Sequence, residues 1–347
     1  MKAYLLRAIG DFTYADVERP VCADDEVIVR VAAAGVCGSD IPRIYRSGAY
    51  SYPLIPGHEF AGTVAEAGKK ADGNRIGKRV GVYPLIPCRK CGPCEAGQYE
   101  LCRSYSYLGS RRAGGFAEYV AVPEWNLIEL PEGVSFEQAA MLEPMAVALH
   151  AVRRSKIKRG QSAAICGLGT IGLLVYMILA DMGLERILLV GNKEYQREAA
   201  AELGFDTDYF CNNSSENGDE WLAGMRGWGV GAFFDCAGTA ESAGLAVRHT
   251  APGGTVMLVG NPASDMTFDK NTYWKILRNQ LTVKGTWNSA FKHEDRDDWH
   301  RCLDLTAGKK VMPEKLVSHR LSLDRLAWGT ELMRDKKENY TKVMVLF

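Results

Sequence analysis

The run Ser162-Ala-Ala-Ile-Cys-Gly-Leu-Gly-Thr-Ile-Gly-Leu-Leu-Val-Tyr-Met-Ile-Leu-Ala-Asp-Met182 decides the fold. From Gly160 to Ala180 no residue is charged, and a stretch of that length meets the threshold for a membrane-spanning helix. Gly167, Gly169 and Gly172 break it up. They divide it into a short strand (Ser162 to Cys166), a tight turn and an apolar helix (Ile171 to Met182), with Arg159 and Asp181 close to the ends. Glycines spaced Gly-x-Gly-x-x-Gly between a strand and a helix let the backbone approach a pyrophosphate, which then rests on the helix N-terminus. Gly167, Gly169, Thr170, Ile171 and Gly172 are therefore the first candidates for binding a dinucleotide.

Working outward, apolar runs alternate with helical ones at the spacing of βαβ units. The expected strands are Ser162 to Cys166, Arg186 to Val190, Ala232 to Cys236, Thr255 to Gly260 and Leu281 to Gly285. A helix from Tyr195 to Leu203 ends at Gly204, and the polar run Cys211 to Glu220 reads as a surface loop. The residues before Glu143-Pro144 have another texture. Strand-like alternation from Glu26 to Ala34, from Phe60 to Gly68 and from Arg79 to Tyr83 is separated by loops containing prolines 53, 56, 84, 87 and 93. The expected fold class is α/β, with a mostly-β domain over 1–145 and 289–347 and a doubly wound parallel sheet over 146–288. A chain of 347 residues suits two domains.

Composition excludes several functions. The 42 Lys and Arg balance 42 Asp and Glu, so there is no basic surplus for a nucleic-acid backbone. Hydrophobic residues at 47% with 24% charged argue against disorder. Ten cysteines are the excess. A secreted disulfide framework calls for a short chain behind a signal peptide, whereas Met1-Lys-Ala-Tyr-Leu-Leu-Arg reads as a first strand, so a cytoplasmic location with thiols for metal is expected.

Cys88, Cys91, Cys94 and Cys102 form a C-x2-C-x2-C-x7-C cluster. Four thiolates in one loop can close a tetrahedral shell around structural zinc; an iron–sulfur cluster or two disulfides are the alternatives. A second set is scattered: Cys37 in Gly-Val-Cys-Gly-Ser-Asp, His58 and Glu59 in Pro-Gly-His-Glu-Phe, and Glu143 in Met-Leu-Glu-Pro. Singly, these read as a core cysteine, a loop histidine and solvated carboxylates. Jointly, one Cys, one His and a carboxylate suit a zinc that keeps one position for substrate.

The order Cys-Gly-Ser-Asp, Gly-His-Glu, four-cysteine loop, Glu-Pro and Gly-x-Gly-x-x-Gly resembles the zinc-dependent medium-chain alcohol and polyol dehydrogenases over essentially the whole chain. That resemblance implies a GroES-like catalytic domain followed by a Rossmann domain, with two zinc ions per chain. It places Cys37, His58 and Glu143 at the catalytic zinc, with Glu59 a neighbouring or alternate ligand; glutamate rather than cysteine at 143 is similar to the sorbitol dehydrogenase branch. It makes Ser39 the hydroxyl that relays the alcohol proton and Asp40 the carboxylate that orients the zinc histidine. The histidine that extends this relay in related alcohol dehydrogenases falls at Pro42, so the proton must leave through water or the cofactor ribose. Zinc would acidify the alcohol for hydride transfer to a nicotinamide.

An acidic residue that grips the ribose 2′-hydroxyl is expected about 20 positions beyond the glycines. Instead the strand ends in Gly191-Asn192-Lys193. Loss of the carboxylate removes repulsion of a 2′-phosphate, and Asn192 and Lys193 can donate to it, so NADP is favoured over NAD. Three further segments resemble the sugar-alcohol-phosphate branch: Gly35 to Ile44, Leu108 to Tyr119 and Lys275 to Asn288. This implies a substrate such as galactitol 1-phosphate, with Arg43, Arg111 and Arg112 as candidate phosphate anchors. A free polyol such as sorbitol or xylitol is the alternative, and a non-catalytic NADPH-binding relative is a further one. The resemblance also implies a homodimer or homotetramer built on the edge of the Rossmann sheet.

Overall fold

The computed structural model describes residues 1–225, 229–262 and 264–347. Two compact units emerge, one of Met1–Glu143 with Ala290–Phe347 and the other of Pro144–Ser289. A GroES-like unit thus joins a Rossmann-type parallel sheet, the expected fold class. Among the described residues no helix is long and apolar enough to cross a membrane.

The first unit opens with the hairpin β1 (Lys2–Ala8) and β2 (Asp11–Asp16). Next come β3 (Glu26–Val36), β4 (Glu59–Ala67), β5 (Arg79–Val82), β6 (Leu85–Ile86), β7 (Ser106–Tyr107), β8 (Tyr119–Pro123) and β9 (Leu127–Glu129). Period-two alternation sets the core. Val27, Val29 and Val31 of β3 meet Phe60 and Val64 of β4, Val80 and Val82 of β5, and Val120 and Val122 of β8 in one buried cluster. Each such side chain contributes about 1.5–3 kcal/mol when fully buried, which makes the sheet a rigid support for the loops at its ends.

The second unit holds β10 (Ala163–Cys166), β11 (Ile187–Gly191), β12 (Phe210–Asn212), β13 (Val230–Asp235), β14 (Thr250–Leu258) and β15 (Thr282–Gly285). All are parallel, in the order β12-β11-β10-β13-β14-β15. Every residue of β10 and β11 is buried, as strands covered on both faces must be. The chain steps outward from β10 to β12 and then restarts on the other side at β13. Such a reversal opens a crevice beyond the carboxyl ends of the strands, where nucleotides bind in this architecture. The helix Thr170–Asp181 follows the glycine turn directly.

Two elements lie where the sequence reads as loop. Phe210, Cys211 and Asn212 are buried as the edge strand β12, and the helix Gly218–Gly224 starts at Asn217, whose side chain accepts from the N–H groups of Asp219 and Glu220. The Asn- and Ser-rich run does contain the turn, but that turn is narrower than the polar composition suggests. The chain then returns to the first unit with β16 (Val317–Ser322) and β17 (Lys342–Leu346), giving the order β16-β17-β3-β4-β5-β9, with β8 also paired to β3.

Candidate metal centres and nucleotide cleft

The four sulfurs of Cys88, Cys91, Cys94 and Cys102 all lie within 4.8 Å of one another. Cys91 Sγ is 3.5 Å from Cys94 Sγ and 3.9 Å from Cys102 Sγ. A tetrahedral shell with Zn–S bonds of about 2.3 Å has sulfurs about 3.8 Å apart, so the cluster has the dimensions zinc requires. All ten cysteines are free thiols in this structure. Backbone N–H groups of Arg103 and Cys94 hold the Cys91 thiol down at about 6, while burial pushes Cys94 up to about 12.

At the end of β3 stands the second group. Cys37 follows that strand directly, Glu59 opens β4 beside it, and ligand atoms of Cys37, His58 and Glu59 lie within 4.8 Å of one another. The antiparallel register, with Gly35 opposite Glu59, is what unites two segments about twenty residues apart in sequence. His58 and Glu59 are buried. His58 Nδ1 has no hydrogen-bond partner and faces Asp40 Oδ1 at 3.6 Å, beyond hydrogen-bond range, which leaves Nε2 for a metal. A buried, under-partnered imidazole beside a cysteine and a carboxylate fits a zinc ion.

Asp40 is fully buried and accepts from the Cys37 backbone N–H at 3.1 Å and from Arg43 at 2.7 Å. Burial raises its carboxyl, but the charges of His58 and Arg43 and the Cys37 backbone N–H together hold it below the usual range. Ser39 Oγ lies 3.3 Å from Cys37 Sγ, at the edge of the ligand group. Pro42 lies in the first turns of the helix Asp40–Tyr45 and carries no group to pass a proton. Glu143 lies outside the three-residue cluster. Its carboxylate accepts from the Tyr107 hydroxyl at 3.2 Å, and the Tyr107 ring meets that of His58 edge-on with centroids 5.8 Å apart. Burial pushes the Glu143 carboxyl up to about 7, with His58 opposing and Glu59 reinforcing.

Two participants escaped the sequence reading. Tyr107 is one. Lys342 is the other: it opens β17, is buried, and ion-pairs with Glu59. The apolar run Lys-Val-Met-Val-Leu gave a hint, since a lysine at its head is positioned to be drawn in with the valines.

Of the candidate phosphate anchors, Arg43 is paired with Asp40 and Arg112 with Glu26 at 2.5 Å. Arg111 differs. Among the described residues it has no carboxylate partner, and its guanidinium lies over the rings of Tyr50 and Tyr105, 4.5 and 4.4 Å from their centroids. Its guanidinium also donates to the Tyr105 carbonyl at 2.9 Å; Tyr105 meets Tyr107, and Tyr107 meets His58, so aromatic contacts link this cation to the metal-ligand group.

In the second unit a cleft of about 440 Å³ opens at the carboxyl ends of β10, β11 and β13. Gly167, Gly169, Gly191 and Asn192 line it, together with Asn213 and Ser214, which the sequence reading had left in a loop. Gly167 has φ +93°, and a Cβ there would stand 2.5 Å from the Ala237 backbone nitrogen, so only glycine serves. Glu241 is the carboxylate that lines the cleft, where it accepts from Asn213 Nδ2 at 3.0 Å, while Asp235 accepts from the N–H groups of Ala237 and Gly238 and so serves the turn. Lys193 lies over the Tyr195 ring, 5.4 Å from its centroid.

A zinc-holding GroES-like unit and a nucleotide-type parallel sheet in one chain define a dehydrogenase. Residues 23–132 match the profile of the alcohol dehydrogenase GroES-like domain, and residues 170–308 that of the zinc-binding dehydrogenases. The chain belongs to this family of zinc-dependent alcohol and polyol dehydrogenases. It is 33% identical over 316 residues to galactitol 1-phosphate 5-dehydrogenase of Escherichia coli K12, covering 91% of this chain and 90% of that one. The crystal structure of the E. coli galactitol-1-phosphate dehydrogenase superposes with a TM-score of 0.93 at 31% identity, covering 100% of both chains. A zinc-binding dehydrogenase from Sinorhizobium meliloti 1021 bound to NADP gives 0.91 at 31% identity, over 100% of this chain and 99% of that one. An E. coli CFT073 dehydrogenase complexed with NADH gives 0.91 at 27%, with the same coverage.

Proposed function

We propose that the protein oxidises a secondary alcohol of a polyol phosphate such as galactitol 1-phosphate to the ketone, and the reverse, using two zinc ions per chain and NADP. The carrying observation is the group of half-buried Cys37 with buried His58 and Glu59, a mixed ligand set of the kind that keeps a position for substrate, in a chain that also holds a separate four-cysteine cluster. Zinc held there, with Glu143 as a further ligand, would supply the Lewis acidity that lets a hydroxyl lose its proton near neutral pH, and the nicotinamide the hydride acceptor.

The chain's own residues do the rest. Asp40, itself held by Arg43, faces His58 Nδ1 and fixes the ring with Nε2 toward the metal position. Ser39 Oγ takes the substrate proton and returns it in the reverse direction. With Pro42 next in the helix, the proton leaves through water or the cofactor ribose.

Three features support NADP: no carboxylate at Gly191, donors on Asn192 and Lys193, and an NADP-bound structural relative. The phosphate of the substrate is assigned to Arg111, the candidate with no carboxylate partner among the described residues. A free polyol is the second reading, favoured by the engagement of Arg43 and Arg112 with Asp40 and Glu26. Ten free thiols suit a reducing compartment such as the cytoplasm. Assembly as a homodimer or homotetramer is supported by an exposed apolar patch on the sheet edge, formed by Tyr273, Trp274, Leu277 and Val283. The test is a panel of phosphorylated and free polyols run with both nucleotides. Highest kcat/KM for a phosphorylated polyol with NADP⁺ is expected; preference for NAD⁺ or for free polyols overturns the corresponding half.

A further inference from the structure

Why does no side chain occupy position 191? A Cβ built there would stand 2.6 Å from Gln196 Oε1 and 2.9 Å from Cζ of Phe210, closer than side chains approach without displacing something. Neither neighbour is loose. Gln196 is buried in the cleft wall, where its Oε1 accepts from the Asn192 backbone N–H at 2.8 Å and its Nε2 donates to the Leu168 carbonyl at 3.2 Å. Leu168 sits inside the glycine turn, so one side chain ties the fingerprint to the end of β11. Phe210 is buried on β12, with the Arg197 guanidinium 4.6 Å from its ring centroid.

We propose that Gln196 is a specificity-determining residue: its side chain, backed by Phe210, fills the space that a ribose-gripping carboxylate at position 191 would need, and so bars the NAD-type site. The proposal rests on the NADP reading above and supplies its structural enforcement. An aspartate introduced at 191 displaces Gln196 Oε1 from the Asn192 N–H, and Asn192 borders the cleft proposed for the nucleotide. The usual exchange of glycine for aspartate therefore removes the 2′-phosphate preference without creating a grip on the 2′-hydroxyl. Shortening Gln196 opens the space.

The test titrates NADPH and NADH, by nucleotide fluorescence, into the zinc-loaded full chain of the wild type, Gly191→Asp, Gln196→Ala and the double variant. Melting temperatures taken without nucleotide show which proteins are folded, and Gln196→Ser replaces Gln196→Ala if the latter does not fold. Gly191→Asp is expected to weaken NADPH by about tenfold or more and to leave NADH within about twofold, while the double variant binds NADH about tenfold more tightly than Gly191→Asp. Gly191→Asp gaining NADH affinity by itself, or a double variant no better than Gly191→Asp, overturns the role of Gln196. A wild type that prefers NADH overturns the NADP reading, while the comparison of Gly191→Asp with the double variant still judges Gln196.

Discussion

Lys342 and Glu59 are both almost wholly buried and depend on each other. A buried pair gains little over a well-packed apolar pair, but removing one partner leaves an uncompensated charge at a cost of about 3–5 kcal/mol. Lys342→Met is therefore expected to lower unfolding stability by that order in urea titration, and a loss below 1 kcal/mol would show that Glu59 is satisfied elsewhere. The two residues are 283 positions apart. They meet because Val343 of β17 stands opposite Val36 of β3, while Gly35 stands opposite Glu59 of β4. No local pattern announces a pairing set by two strand registers, which is why Cys37 and His58 were legible as site residues while their ionic neighbour was not. Arg111 was legible as a candidate, but only the ion pairs of Arg43 and Arg112 separate it from those two. Arg111→Ala is expected to raise KM about tenfold or more for a phosphorylated polyol and less than about twofold for the free one, since a charge-assisted contact is worth about 1.5–3 kcal/mol. Equal effects on both substrates would remove the anchor role.

Elements carry the next layer of the argument. The glycine fingerprint was legible because everything it needs is local: a buried strand, a positive-φ turn and a helix start within twenty residues. The edge strand β12 was not, because three residues with an Asn and a Cys give no periodicity to read. The four-cysteine loop is local too, and its only regular elements are a four-residue helix and a three-residue turn. With so little regular structure, the proposed zinc is the natural tie for it. Cys91→Ser is expected to reduce zinc from two to one per chain by elemental analysis and to lower the melting temperature while NADPH binding persists; two zincs retained would refute a cysteine-held ion.

The helix Asp298–Ala307 shows element-level electrostatics. Its N-cap Asp297 accepts from the His300 N–H at 2.8 Å, from His300 Nδ1 at 2.9 Å and from the Lys292 N–H at 2.8 Å. Burial raises the Asp297 carboxyl, but the hydrogen bonds from His300 and Lys292 prevail and hold it low; the bond to Asp297 in turn holds His300 above its ordinary range despite burial. Asp297 thus stabilises the fold above about pH 4 and loses that contribution as acid protonates it, while His300 contributes fully below about pH 6.5 and less as pH rises through its raised value. His300→Phe, which keeps the stacking on Phe291, should therefore cost about 1 kcal/mol near pH 5–6 and progressively less above pH 7. A difference in melting temperature between wild type and variant that stays constant from pH 5 to 9 would exclude the ionic contribution.

At the scale of the whole molecule, one surface of the nucleotide unit is ill suited to water. β15 ends the parallel sheet, pairing only with β14, and Thr282, Val283 and Gly285 are exposed along it. On the adjoining helix Lys270–Arg278, Tyr273, Trp274 and Leu277 are also exposed, Leu277 to 61%. An open strand edge, preceded in the chain by a helix with three exposed apolar side chains, invites pairing, and natural proteins leave such an edge unguarded mainly where a partner covers it. A second copy is the simplest cover. A two-fold axis brings the same strand and helix from each protomer together, extends the sheet across the interface and buries both patches at once. None of the four patch residues lines the nucleotide cleft, so the surface can be changed without touching the cofactor. Sedimentation velocity of the wild type is accordingly expected to give two or four times the chain mass of 38.2 kDa at micromolar concentration. The pair Trp274→Glu and Leu277→Glu replaces the centre of the patch with like charges that would repel their symmetry copies, and should return the protein to a smaller assembly with NADPH affinity changed less than about threefold. If the wild type sediments as a monomer, or the doubly substituted chain keeps the wild-type mass, this edge is not the assembly surface.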